Sequence, residues 1–118
     1  MTEQTRLGRI EVSPQAVASL ASQAVLESYG VVGMAPANLR NGIVEVLTGD
    51  RSTRGVQVRL VNSDIIIDLF VVIEYGTRIS TVASNIMSAV KFTVEKSLGV
   101  TVKEVNVHVQ GLRVSDTD

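Results

Sequence analysis

The stretch Asp64 to Gly76, D-I-I-I-D-L-F-V-V-I-E-Y-G, restricts the fold of this chain more than any other. It is rich in β-branched and aromatic residues and holds no proline or internal glycine, so it reads as one long strand. Successive side chains of a strand point to opposite faces. The odd positions, Ile65, Ile67, Leu69, Val71, Ile73 and Tyr75, are all apolar, whereas the even ones, Ile66, Asp68, Phe70, Val72 and Glu74, are mixed. One face must therefore be core and the other is only partly hydrophilic. The rest of the chain has to cover the odd face.

At 118 residues the chain can build one domain, 1–118, with an ordered core over about residues 8–112. Hydrophobic residues make up 45% but aromatic ones only 3%, with no tryptophan, so that core must come from Val, Ile, Leu and Ala. The net charge of -1 gives no overall attraction to nucleic acid or anionic lipid, while leaving room for a local basic patch. The absence of cysteine excludes disulfides, thiolate catalysis and cysteine-based metal sites. The start M-T-E-Q-T-R-L-G-R lacks the apolar centre of a signal peptide, which points to a cytoplasmic protein. Asp68 interrupts the longest apolar run well short of the ~20 residues a bilayer needs, so no direct membrane insertion is expected. Any peripheral membrane contact would come through a partner.

Along the chain, residues 1–6 are polar and expected to fray, and Arg9 to Val12 alternates as a first short strand. Ser13-Pro14 supplies an N-cap and a proline at the first helical position. The helix that follows carries Val17, Leu20, Ala21, Ala24 and Val25 as one apolar stripe, with Gly30 as its stop. Val31 to Met34, broken by Gly33, reads as a buried connector or a very short strand. Leu39 to Leu47 reads as a short helix, and Gly49 to Gly55 as a polar, mobile loop. Gly55 to Val61 alternates again. A two-residue turn at Asn62-Ser63 pairs Leu60 with Ile65 and Val58 with Ile67, because a slip of one would bury Arg59. Thr77 to Leu98 has helical spacing through Val82, Ile86, Val90 and Val94, with Thr77 or Ser80 as the cap and Gly99 as the stop. Val102 to Val109 is a last strand, extendable past Gly111, with Val105, Val107 and Val109 inward and Asn106, His108 and Gln110 outward.

The order is β-α-β-β-α-β. It predicts an α+β two-layer sandwich, a four-stranded mainly antiparallel sheet with two helices on one face, either ferredoxin-like or a KH-like variant.

Four segments, Gly8-Arg-Ile-Glu-Val-Ser-Pro-Gln-Ala-Val, Glu27-Ser-Tyr-Gly-Val-Val-Gly-Met34, Asp68-Leu-Phe-Val-Val-Ile-Glu-Tyr-Gly76 and Val105-Asn-Val-His-Val-Gln-Gly111, carry a family likeness over roughly residues 8–112. Together, in this order and spacing, they resemble the alkaline shock protein family, the YloU-like envelope stress-response proteins of Gram-positive and related bacteria. The resemblance implies a non-enzymatic cytoplasmic protein of cell-envelope homeostasis and stress response. Some members self-assemble and are held at the membrane by a separate anchor protein, and others are encoded beside a dihydroxyacetone-kinase-like or fatty-acid kinase. It thus implies a homo-oligomer or a protein partner, either membrane-anchored or a kinase. Ser80 stands where many members have proline, and the long charged tails of the abundant stress-induced members are missing, which favours the short, housekeeping-type branch.

No catalytic, cofactor-binding or metal-ligating set emerges. His108 is the lone histidine, and its expected neighbours Asn106 and Gln110 are amides, so it reads as a solvated or hydrogen-bonding strand residue. Asp68 and Glu74 share a face but lie ~20 Å apart, too far for an acid/base pair. Asp68 is expected to pair diagonally with Arg59, or with Arg9 or Arg113. Arg51 and Arg54 sit in a loop without the Gly-Lys-Ser/Thr of a phosphate-binding loop. The even face is the informative oddity. If the helices cover the odd face, Ile66, Phe70 and Val72 lie exposed, ringed by Arg9, Glu11, Gln57, Arg59, Asn106 and His108, an apolar centre with a polar rim. Ile66, Phe70, Val72, Arg59 and His108 are therefore the candidate partner surface of an interaction or adaptor protein. The alternatives are that another segment covers them, or that sheet and connector enclose an acyl-chain-like ligand as a sensor or carrier. Nucleic acid is not expected, since Phe70 stands without the stacking aromatics and basic residues of an RNA-binding sheet.

Overall fold

The computed structural model describes residues 2–37 and 45–114. The elements are strand β1 (Thr2–Gln4), strand β2 (Arg9–Glu11), helix α1 (Pro14–Leu26), strand β3 (Val31–Met34), a 3-10 segment (Gly49–Gly55), strands β4 (Val56–Val61) and β5 (Asp64–Glu74), helix α2 (Ile79–Leu98) and strand β6 (Val102–Arg113).

β5 is the centre of a four-stranded sheet, as its two-sided hydrophobicity demands. One of its edges is shared by two antiparallel strands. β4 runs along Asp64 to Leu69, with Leu60 opposite Ile65 and Val58 opposite Ile67, and β3 runs along Val71 to Ile73. The other edge is taken by β6, which is parallel and spans Ile65 to Glu74. A parallel neighbour cannot be reached by a tight turn, and the 20-residue α2 supplies the crossover. The β4–β5 hairpin closes on Asn62 and Ser63, both with positive φ (52° and 73°), whose twist matches that of paired strands.

Both helices lie on the odd face. Val17, Ala21 and Val25 of α1 and Val82, Ile86, Val90 and Val94 of α2 form one buried cluster with Ile65, Ile67, Leu69, Val71 and Ile73 of β5. Ser13 caps α1, its hydroxyl accepting from the Ala16 amide at 3.1 Å, and Gly99 ends α2 in the left-handed region. The architecture is thus the expected α+β two-layer one, with a mainly antiparallel sheet.

Its membership differs in one place. Arg9–Glu11 pairs with Thr2–Gln4 in a separate hairpin, closed by hydrogen bonds between Thr5 and Gly8, so the start of the chain is ordered as strand rather than frayed. The physical reason is occupancy: both edges of β5 are already filled, and Val31–Met34 takes the fourth place in the sheet as a true strand. Three smaller expectations also change. α1 stops at Leu26, and Gly30 (φ 88°) serves the turn into β3, where its carbonyl accepts from the Glu74 amide. α2 begins at Ile79 with Arg78 at the cap position and no side-chain cap bond, because the Thr77 hydroxyl is engaged with the Glu74 carbonyl. Residues 49–55 are exposed at Gly49, Asp50, Arg51 and Arg54 as expected of a polar loop, but they form a 3-10 segment tied to the domain at two points. Ser52 is buried, and a Cβ on Gly55 would sit 2.7 Å from the Ala35 carbonyl oxygen and 2.8 Å from Met34 Cβ. Most of the short helix expected over 39–47 lies outside the described residues. Leu47 itself is extended and bridges Met34.

Candidate functional site

The face of β5 turned away from the helices is built by register. Asp68 has Gln57 on one side and Asn106 on the other, and Ile66 has Arg59 and Glu104. Phe70 has His108, and Val72 lies between Gly33 and Gly111. Cross-strand neighbours of this kind have side chains within contact distance, so residues 38 and 40 positions apart in sequence meet here.

Asp68 is the hub. One carboxylate oxygen accepts from Arg59 Nε at 3.0 Å, and the other accepts from Asn106 Nδ2 and His108 Nε2, each at 3.2 Å. An ionised carboxylate can only accept, so Nε2 of His108 carries the hydrogen. The Asp68 side chain is only 10% exposed. That burial by itself would raise its pKa, but the hydrogen bonds from His108, Arg59 and Asn106, with the Arg59 charge, outweigh it and hold the pKa below the ordinary aspartate value. The His108 ring lies flat on Phe70, with centroids 4.6 Å apart and planes 12° from parallel. Two rings, a guanidinium and an amide are thereby fixed around one buried anion. All but the carboxylate reach solvent in part.

Of the expected surface, Arg59 and His108 are exposed and Phe70 is half-buried, and the network brings the three together. Ile66 and Val72 are not exposed: they are 7% and 0% accessible, although neither belongs to the helix-side core. A central strand has shoulders on both sides, and Ile66 is flanked by the long side chains at Arg59 and Glu104. Val72 is flanked by glycines, but Val46 leans over Gly33, its Cγ1 2.6 Å from where a Cβ on that glycine would sit. The presented surface is therefore more polar than an apolar centre with a rim. Arg9 and Glu11 take no part in it, since they pair with each other at 3.2 Å in the β1–β2 hairpin. Asn106 is the member that sequence reasoning left on the rim and that the structure places on the hub.

The arrangement holds side chains still rather than activating one. The network contains no hydroxyl or thiol that His108 could deprotonate. Among the described residues no three His, Cys, Asp or Glu side chains converge as metal ligands. The pocket lined by Val12, Pro14, Val17, Val58, Leu60 and Ile65 encloses about 10 Å³, against the roughly 300 Å³ or more of ordinary ligand sites. A larger groove between α1 and the 3-10 segment is open and lined by Ser19, Ser22, Gln23, Glu27, Asp50 and Ser52. No helix among the described residues is long and apolar enough to cross a membrane.

Residues 2–114 match the alkaline shock protein 23 family, described as having a cell envelope-related function. The uncharacterised protein YloU of Bacillus subtilis is 42% identical over 113 residues, covering 95% of this chain and 94% of that one. An uncharacterised Streptococcus pyogenes protein is 36% identical over 111 residues, covering 93% and 92%. Among solved structures, the copper form of the MamM CTD superposes with a TM-score of 0.51 at 18% identity, covering 88% of this chain and 91% of that one. At that identity the likeness concerns the fold alone.

Proposed function

The chain belongs to the alkaline shock protein 23 family, a non-enzymatic family of envelope-related function, and from that premise we propose that it is a cytoplasmic interaction protein of the envelope stress response. It docks through the β5 face centred on Asp68 to a protein partner, either a membrane-anchored family member or a kinase, or to a second copy of itself. The observation that carries this reading is the Asp68 hub. A buried carboxylate that holds Arg59, Asn106 and His108, with Phe70 stacked beneath the imidazole, presents a pre-ordered set of donors and an aromatic edge. Pre-ordering lowers the entropy lost when a partner binds. Arg and aromatic side chains are also the residue types that dominate interface energetics. Attachment to the membrane then belongs to the partner, in keeping with the lack of a spanning helix among the described residues.

The test is Phe70→Glu, which sets a second carboxylate beside Asp68 and removes the ring under His108. The expected result is a protein that still unfolds cooperatively but no longer oligomerises or co-fractionates with membranes in its host. Unaltered assembly and fractionation would count against this face.

A further inference from the structure

β6 is 12 residues long, and among the described elements it pairs with β5 alone, so its outer edge presents backbone donors and acceptors with no strand beside them. Its register to β5 shifts near each end and is regular from Glu104 to Val109. Nothing blunts the edge there, since Val105 to Val109 contains no proline, lysine or inward-pointing charge. On the helix side Val105 belongs to the core cluster, whereas Val107 and Val109 pack against it only partly buried, so the core ends at an open edge. Between this edge and the flank of α2 lies a cleft of about 350 Å³, with the exposed Met87 and the buried Val105 in its lining. Its charges are of both signs: Lys91, Lys103 and Glu104 line it, and Lys103 is already ion-paired with Asp64 at 3.6 Å. The cleft therefore favours neither an acidic nor a basic side chain, and Met87 beside Val105 suits an uncharged one.

The strand is its own complement when it meets itself antiparallel. Same-face residues then stand opposite each other, and two registers fit wholly inside the regular part, one centred on Asn106 and one on Val107. Centring on Asn106 sets Val109 against Lys103 and Glu104 against His108. Nε2 of His108 gives its hydrogen to Asp68, so the uncharged ring offers only Nδ1, an acceptor that a carboxylate cannot satisfy. Centring on Val107 sets Val105 against Val109, Val107 against itself and Asn106 against His108. One Nδ2 hydrogen of Asn106 goes to Asp68, and the second is left to donate to Nδ1 of His108, which has no partner among the described residues. A two-fold axis normal to the sheet generates this register and keeps both helix layers on one side. Val109 of the second copy then enters the cleft beside Val105, under Met87.

We infer that two copies of this chain join through β6, antiparallel about Val107, so that their four-stranded sheets become one continuous sheet with valines packed on the helix side and Asn106–His108 bonds on the other. The pairing deepens the function proposed above by naming a second copy as what the Asp68 network meets along β6, and it rests on that reading to the extent that Asp68 orients Asn106 and His108.

The chain has no cysteine, so single cysteines report the register without background. Val107→Cys, Val105→Cys and Val109→Cys are each oxidised as the full chain after their melting temperatures are matched to the parent. Position 107 faces its own counterpart, whereas 105 and 109 face each other and lie ~13 Å from their own. Val107→Cys should cross-link about tenfold faster than either of the others alone, because pairing raises the effective concentration of its thiol. An equimolar mixture of Val105→Cys and Val109→Cys should match it, which keeps the test open if Val107→Cys folds poorly. The parent should sediment as a dimer, with hydrogen exchange over 104–109 slowing as its concentration rises. The inference is overturned by a parent that stays monomeric at millimolar concentration, by equal rates at the three positions with no gain on mixing, or by β6 amides that gain protection only when a different protein is added. Phe70→Glu separates the two readings. Cross-linking at 107 that survives in it supports the β6 pairing and removes support for the face, while a parent that dimerises with no cross-link at 107 or in the mixture overturns the pairing alone.

Discussion

Replacing Asp68 by Asn tests the hub at its centre, because the two side chains have nearly the same shape and differ in charge. The carboxylate now accepts three hydrogen bonds, one from a guanidinium. Bonds to a charged group are each worth about 1.5–3 kcal/mol when buried, but that range has to be discounted here. The side chains of Arg59 and His108 are about half exposed and can turn to water once released. Exposed ion pairs contribute only about 0–1 kcal/mol. The amide of Asn also retains one acceptor oxygen. The net loss at pH 7 should therefore be about 1–2 kcal/mol, or roughly 4–8 °C in melting temperature for a domain of this size. Because the folded pKa of Asp68 lies below its unfolded value, its contribution is fully present above the unfolded pKa and disappears as pH falls through the folded one. Denaturant unfolding of both proteins from pH 7 down to about pH 2 should show a gap that is constant down to about pH 4 and closes below it. Parallel curves over the whole range, or a variant more stable than the parent at neutral pH, would refute the hub.

Two other substitutions probe how the face is supported. Gly55→Ala should cost about 1–3 kcal/mol by denaturant unfolding, since its Cβ meets the Ala35 carbonyl and Met34 Cβ, neither of which can swing aside. Ser63→Gly should stabilise the protein by up to about 1 kcal/mol, because Ser63 holds φ of 73° in a two-residue hairpin turn where glycine bears no strain.

The parts of the fold that were legible in the sequence are those whose side-chain period has one reading. The alternation through β4 and β5, with a two-residue turn between them, allows one register, and the helical spacings in α1 and α2 each define a single buried stripe. Arg59 could be placed near Asp68 for the same reason, since a hairpin register fixes its diagonals. The direction and neighbour of β6 could not, because alternation over Val105 to Val109 looks the same in a parallel and an antiparallel strand. Without that pairing Asn106 and His108 have no reason to meet Asp68, and the hub stays hidden. Val31–Met34 could be read as a buried connector or a very short strand, but its partner could not be read. It is four residues long and broken by Gly33, and its place in the sheet depends on Leu47 pairing its outer side and on Gly55 letting the chain pass close. The burial of Ile66 and Val72 follows from flanking strands and from Val46, not from any pattern within β5.

The central claim concerns which surface meets a partner, and it can be read directly by placing a photo-crosslinking amino acid at His108 and, separately, at the exposed Gln23 on the far side of the domain in α1. Irradiation in the native host should give a discrete protein adduct from position 108 and none from position 23. An adduct from Gln23 with none from His108 would contradict the account.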